Sequence, residues 1–350
     1  AKTGHILAMV GSKNYWDEKG GNFNVTTSNR QPGSSIKPLT FAAAFKEGFT
    51  PGSIVLDTPI SYKNAWENYS PVNYDGRFHG PVTIRTALGS SYNIPAVKVL
   101  NEIGVNQLIQ TAKDLGITTF TTPERYGLSL TLGGGEVKLV DMMSVYGTFS
   151  QLGKKYDAQP ILKITDSEGK ILEDNTNPEG KKVLESGVAY MINSILSDNK
   201  ARTPAFGPNS LLVIPGHTVA VKTGTTDSKR DNWTFGYTPE YVVGTWVGNN
   251  DNSPMDPQLT SGITGASPIW HQIMVKLLEN KPDIAFIKPS DISEGVINGR
   301  KDLILIGKIS KSTLSNEKYF SQKSPAPDGR DKNITFTDPL NTYITNTSSQ

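Results

Sequence analysis

Three short segments of this 350-residue chain carry residue types that could do acyl chemistry together: Ser34-Ser35-Ile36-Lys37, Ser91-Tyr92-Asn93 and Lys222-Thr223-Gly224-Thr225. Ser34 and Lys37 are three apart, which on a helical turn sets them on one face with Cβ atoms about 5–6 Å apart. A lysine amine so placed can take the serine hydroxyl proton once it is neutral. Free lysine titrates near ~10.4, so the site must depress it, by burial or by a second cation. Lys222 is the obvious second cation. A Ser91 pointing into the same pocket passes a proton between Lys37, Lys222 and a leaving amine. Asn93 orients Lys37 and hydrogen-bonds a substrate amide. The hydroxyls of Thr223 and Thr225 beside a lysine suit a carboxylate, and Gly224, lacking a side chain, lets a substrate backbone lie close. Taken singly, each segment also reads as ordinary structure: a helix start with a solvated lysine, a turn with local Ser and Asn caps, and a strand running into a turn.

The elements around these residues decide whether they meet. Residues 39–47 read as a helix stopped by Gly48. Lys37 precedes Pro38, and a residue before proline avoids the α region, so the first turn should be tight or irregular. A helix begun at Ser34 aims the Ser34 N–H at the pocket, where such amides stabilise oxyanions. Residues 51–79 read as loop, with aromatics among Ser, Asn and Pro. Helical segments follow over 82–88, 96–103 and 105–115, broken by Gly104 and Gly116, and over 139–152, ended by Gly153. Residues 161–174 read as a hairpin, 186–196 as an amphipathic helix, and 217–222 as a strand. A second hairpin covers 233–237 and 241–248, and a helix covers 269–278. Alternation puts Lys222 and Gly224 on one strand face, Thr223 and Thr225 on the other. The apolar run 6–10, inside a strand over 4–12, reads as buried on both faces and central in a sheet. The order predicts an α+β fold: a central antiparallel sheet flanked by helices, with an all-helical insertion.

Bulk composition excludes several classes. Charged residues are 19% of the chain and the net charge is +2, without the dense basic stripe of a nucleic-acid binder. No apolar run approaches the ~18 residues of a membrane span. With no cysteine, disulfides, Fe–S clusters and thiolate chemistry are ruled out. His5, His79, His217 and His271 have no metal-ligand spacing, so no metal or other cofactor is expected. No Gly-x-Ser-x-Gly elbow occurs. The stretch 147–154 misses the Walker A spacing and lacks the Ser or Thr after its lysine. Gly133-Gly134-Gly135 reads as a turn or close-packing site.

Together with their surroundings, the three segments resemble the transpeptidase domain of class A, bifunctional penicillin-binding proteins. Residues 30–38 (RQPGSSIKP) are similar to the nucleophile segment, 91–97 (SYNIPAV) to the second motif, and 222–251 to the third. The opening residues 3–11 and the stretches 127–136 and 267–270 also fit. The likeness covers roughly residues 1–285. It implies that Ser34 attacks the penultimate D-Ala carbonyl of a peptidoglycan stem peptide and that an acceptor stem amine resolves the acyl-enzyme. Lys37 is then the base, Ser91 the relay, Asn93 a positioner and Lys222 the electrostatic partner. Thr223 and Thr225 bind the substrate carboxylate, and the N–H groups of Ser34 and Thr225 the oxyanion. β-Lactams acylate the same serine. A location on the outer face of a bacterial membrane follows from the family, through an N-terminal anchor not contained in this sequence. The opening Ala1-Lys2-Thr3 reads as part of a longer protein.

The resemblance implies a transpeptidase domain over 1–288; residues 289–350 match nothing in that family, and their looser, polar composition reads as a peripheral or partly disordered tail, with the apolar patch 303–306 as a short strand. Two other readings use the same serine: a D,D-carboxypeptidase or β-lactamase, and a β-lactam sensor without turnover. A β-lactamase needs a second base to activate water, and no Glu-x-x-Leu-Asn segment supplies one.

Overall fold

The computed structural model describes residues 1–18, 20–63, 68–226, 228–256 and 264–315. Its centre is helix α1 (Lys37–Lys46), buried from Lys37 through Phe45. A helix apolar on every side belongs inside a domain. It follows without a break from a 3₁₀ turn over Gly33–Ile36, the irregular start that Pro38 predicts. Lys37 holds α dihedrals (φ −54°, ψ −38°) against the pre-proline preference, and Pro38 sits in the first turn, where its missing N–H is harmless.

Strand β1 (Phe49–Asp57) follows and is buried at every position, although the sequence predicts loop from 51. Pro51-Gly52 reads as a turn. In the fold it lies within a register irregularity between Phe49 and Ile54, which accommodates the missing donor. Short strands β2 (Tyr62–Lys63) and β3 (Asn68–Tyr69) pair with each other. Strand β4 (Gly80–Thr83) lies antiparallel to β1. The helix expected from 82 begins two residues later, as α2 (Ile84–Gly89), where the Thr83 hydroxyl caps the Thr86 N–H at 3.1 Å. Helices α3 (Asn93–Ile103), α4 (Val105–Leu115) and α5 (Leu139–Ser150) follow the predicted spans, with positive-φ glycines at 104, 116 and 153 as the breaks.

Two small ladders, β5 (Lys154–Lys155) with β8 (Lys181–Lys182) and β6 (Lys163–Thr165) with β7 (Ile171–Asp174), precede α6 (Ser186–Leu196) and α7 (Asn199–Phe206). The sheet that matters for the site comes next: β9 (Ala220–Thr225), β10 (Asp231–Tyr237) and β11 (Val242–Gly248), antiparallel in the order β11-β10-β9. On one face Tyr146, Phe235 and Trp233 stack, with centroids 4.8 and 5.6 Å apart. On the other lies α8 (Ala266–Leu278), so close that a Cβ on Gly236 would stand 2.2 Å from the Trp270 ring. The antiparallel sheet flanked by helices is the α+β arrangement predicted.

Two further predictions fail. The apolar run 6–10 is not a sheet strand: among the described residues the segment makes a single bridge at His5, to Gln159, while Leu7 and Val10 are 77% and 76% exposed. An apolar run reveals the capacity to be buried but not whether a strand lies alongside to pair with it. The second concerns residues 289–315, read as the start of a peripheral tail with one short strand over 303–306, which falls on the second of three strands found there. They form β12 (Ile292–Ile297), β13 (Arg300–Leu305) and β14 (Lys311–Thr313). β14 pairs parallel with β1, and Ile292, Leu303, Leu305 and Leu314 join the main core. Arg85 on α2 grips the Asp302 carboxylate with two nitrogens, at 2.9 and 2.5 Å. The remainder of the predicted tail lies outside the described residues. Among the described residues no helix is long and apolar enough to cross a membrane.

Candidate active site

Two adjacent serines compete for the role of nucleophile, and their surroundings separate them. Ser35 is buried, its hydroxyl donates to the Pro32 carbonyl at 2.7 Å, and its own carbonyl accepts from the Tyr146 hydroxyl at 2.8 Å. Ser34 is half-buried on the 3₁₀ turn, three residues before the fully buried Lys37. The turn is wedged between two backbones. Gly33 has φ +53°, and a Cβ there would stand 2.4 Å from the Thr225 carbonyl oxygen and 2.8 Å from the Thr225 nitrogen. From the other side, a Cβ on Gly133 would meet the Gly33 nitrogen at 2.3 Å. The glycine run at 133–135 is thus a close-packing site, one of its two predicted roles. The contact at Gly33 brings the backbone just before Ser34 against Thr225.

Ser91 lies at the end of α2. The Tyr92 N–H reaches the Ala87 carbonyl (2.9 Å) and the Ser91 N–H the Leu88 carbonyl (3.1 Å), the pattern of a Schellman cap. The residue at the left-handed position of such a cap is usually glycine; here it is Ser91, with φ +61°. A left-handed L-residue costs roughly 1–2 kcal/mol, so the side chain is kept against a backbone penalty. Its hydroxyl stands between two lysines. Lys222 Nζ donates to Ser91 Oγ at 2.8 Å, and Lys37 Nζ lies 3.4 Å from the same oxygen. Lys37 Nζ also donates to the Ser91 carbonyl at 2.6 Å and to Asn93 Oδ1 at 2.7 Å. The structure therefore gathers Lys37, Ser91, Asn93 and Lys222 from three distant stretches of chain.

Lys222 is 3% exposed, and burial pulls its pKa down from the usual lysine value to about 7. Near neutrality it divides between ammonium and amine. Its strand places the rest of the third motif as alternation predicts. The β9–β10 register runs unbroken from Ala220 to Thr225. Thr223 and Thr225 thus stand on the face opposite Lys222; their partners Thr234 and Asn232 bond to Ser267 and Ala266 of α8. Thr225, half-buried at the strand end, accepts from Asn232 Nδ2 at 3.3 Å. Gly224 also makes a contact within the fold that was not predicted. A Cβ there would meet the Pro32 carbonyl at 2.3 Å and Ser35 at 3.0 Å, so the backbone it admits is that of the nucleophile turn.

Sequence reasoning missed Asn73. It is 4% exposed in a segment read as loop, and its Oδ1 accepts from the Asn93 N–H at 2.8 Å. The one available signal was the cluster of turn formers from Pro71 to Gly76, which marks a fixed turn without saying what it holds.

Residues 1–274 match the family described as the penicillin binding protein transpeptidase domain. Penicillin-binding protein 2D of Bacillus subtilis is 33% identical over 300 residues, spanning 83% of this chain and 42% of that protein. Penicillin-binding protein 1A of Aquifex aeolicus is 33% identical over 311 residues, 87% of this chain and 40% of that one. The chain thus spans about two fifths of the length of these relatives. Among solved structures, penicillin-binding protein 1A from Haemophilus influenzae superposes with a TM-score of 0.71 at 25% identity, over 83% of this chain and 50% of that one.

Proposed function

Because the chain belongs to the penicillin-binding protein transpeptidase family, we propose that it is the cross-linking module of a peptidoglycan synthase, a serine D,D-transpeptidase acting through an acyl-enzyme on Ser34. The reading rests on one observation above all: the Ser91 hydroxyl lies within hydrogen-bonding reach of two buried lysines, one of which, Lys37, is three residues along from the half-buried Ser34.

The chemistry then runs as follows. Ser34 Oγ attacks the penultimate D-Ala carbonyl of a stem peptide, and its proton passes to Lys37. The tetrahedral oxyanion is held by the N–H groups of Ser34 and Thr225, a pairing supported by the approach of Gly33 to the Thr225 nitrogen. Collapse breaks the bond to the terminal D-Ala, whose nitrogen takes the proton through Ser91. An acceptor stem amine attacks the ester carbon, its proton leaves by the same route, and Ser34 is regenerated as the new amide forms. Asn93 steadies the Lys37 amine. Lys222 supplies positive charge beside the relay, and Thr223 and Thr225 receive the substrate carboxylate at the end of β9. β-Lactams, which mimic the D-Ala-D-Ala terminus, acylate Ser34 and inhibit. The natural setting is the outer face of a bacterial membrane, where the substrate resides.

Intact-mass spectrometry after incubation with a penicillin tests the reading. A single adduct on Ser34 that persists for many minutes is expected. Rapid release of hydrolysed penicillin points instead to a β-lactamase, and no adduct sinks the acyl-enzyme.

A further inference from the structure

The start of α3 is held by buried groups outside the three motifs. Asp57, at the end of β1, is fully buried, and its carboxylate receives the Asn73 Nδ2 at 2.9 and 2.8 Å, the His79 N–H at 3.2 Å, and His79 Nδ1 at 2.5 Å. A carboxylate with these partners accepts and does not donate, so it fixes which way the Asn73 amide points. Nδ2 faces Asp57 and the Arg77 carbonyl (2.8 Å), and Oδ1 is turned to the first N–H groups of α3: Asn93 at 2.8 Å and Ile94 at 3.3 Å. Asp57 reaches the same turn by a second path. The imidazole of His79 stacks on the Tyr92 ring with centroids 3.9 Å apart and planes within 12°, and its far nitrogen meets Asp75 at 3.1 Å.

Asn93 is therefore fixed through both backbone and side chain. Its N–H is bound by Asn73, its Nδ2 donates to the Val72 carbonyl at 2.8 Å, and its Oδ1 takes the Lys37 amine at 2.7 Å. Val72 and Asn73 are chain neighbours, so one turn holds both ends of the residue that holds the lysine. A carboxylate at 73 would satisfy the helix N-terminus equally well. It could not also donate to Asp57, whereas the amide of Asn73 accepts from α3 while donating to that carboxylate.

We propose that Asn73 is a positioning residue for acylation: oriented by Asp57, it fixes Asn93 and through it the Lys37 amine beside Ser91 and Ser34. The inference rests on the acyl-enzyme reading above. A displacement of about 1 Å in a reacting group is enough to lose on the order of 10²-fold in rate, so the turn acts on chemistry without touching substrate.

The test measures acylation by a fluorescent penicillin, separating the dissociation constant from the first-order acylation constant, with melting temperature and circular dichroism alongside. Asn73→Ala is expected to lower the first-order constant by about 10- to 100-fold with the dissociation constant little changed. Asn73→Asp sets two carboxylates against each other and is expected to fall as far. The exchange Asp57→Asn with Asn73→Asp restores one amide–carboxylate pair across the same contact and is expected to recover most of the rate lost by Asn73→Asp. A folded Asn73→Ala protein that acylates at the wild-type rate, merely melting lower, overturns the proposal. So does an exchange variant that regains stability without regaining rate. Should Asn73→Ala fail to fold, Asn73→Asp against the exchange decides alone. Wild-type protein that never acylates sinks the acyl-enzyme reading, and the positioning role with it.

Discussion

The Ser91 hydroxyl accepts a 2.8 Å hydrogen bond from Lys222 while its backbone sits at φ +61°, in a region L-residues avoid. The proposed proton relay thus sits on a strained backbone, and substitution can separate the two. Ser91→Gly relieves roughly 1–2 kcal/mol of left-handed backbone and adds about 0.5–1 kcal/mol of chain entropy to the unfolded state. The expected result is a melting temperature unchanged or slightly raised. Acylation by penicillin should fall by about 10²- to 10⁴-fold, the usual worth of a positioned proton-transfer group. A melting curve and an acylation time course on the same preparation check both halves.

The serine pair gives the second prediction. Ser34→Ala should abolish covalent labelling by a fluorescent penicillin and leave the protein folded, with a smaller loss of stability than Ser35→Ala. Ser35→Ala should do the opposite. It removes the buried donor to the Pro32 carbonyl, which costs about 1–3 kcal/mol, yet leaves labelling of Ser34 measurable. Labelling that survives Ser34→Ala and vanishes with Ser35→Ala would reverse the assignment.

Lys222 predicts a pH dependence of stability with a definite sign. Its folded pKa is depressed by burial to about 7, whereas the unfolded side chain titrates near ~10.4. Between these values the unfolded state binds more protons, so this group makes stability rise with pH, by up to about 1.4 kcal/mol per pH unit. Below about pH 7 both states are protonated, and the contribution levels off. Urea titrations of wild type and Lys222→Met from pH 6 to pH 10 should therefore converge at the alkaline end and diverge towards neutrality, with the variant the more stable. Parallel curves across that range would contradict a neutral buried amine.

How much of this was readable beforehand follows from the kind of signal each element carries. Helices α3, α4, α5 and α6 and the β10–β11 hairpin were legible because periodicity and glycine breaks are local properties of the chain. Strand β1 was not, because Pro51-Gly52 has the chemistry of a turn and only the pairing with β4 and β14 makes it a strand. The run 6–10 failed for the converse reason: apolar residues were present and, among the described residues, a partner strand was not. At the site, Ser34 and Lys37 could be paired from their spacing, but Ser91 and Lys222 lie too far away in the chain for spacing to join them, and it is the fold that brings them to Lys37. The contact at Gly224 was not legible, because the backbone pressed against it comes from Pro32, nearly two hundred positions away in the chain. Asn73 was hidden for the same reason. Its value lies in Asp57 and Asn93, and nothing in the turn from Pro71 to Gly76 names either.

The glycines that seat the nucleophile turn give the last prediction. Gly33 combines a left-handed φ with a neighbouring carbonyl, that of Thr225, 2.4 Å from where a Cβ would stand. Gly216 has φ +77° with nothing within 4 Å of its Cβ position, so Gly216→Ala measures a left-handed backbone penalty without a clash. That penalty is about 1–2 kcal/mol. Gly33→Ala should exceed it clearly, because a strand carbonyl is not a flexible side-chain end and the turn or β9 has to move. Movement there separates the Ser34 and Thr225 N–H groups, so the folded fraction of Gly33→Ala should acylate about 10²-fold more slowly, the scale of losing one oxyanion donor. Equal destabilisation by the two substitutions, with acylation unimpaired in both, would mean that the Gly33–Thr225 contact has no part in seating the serine.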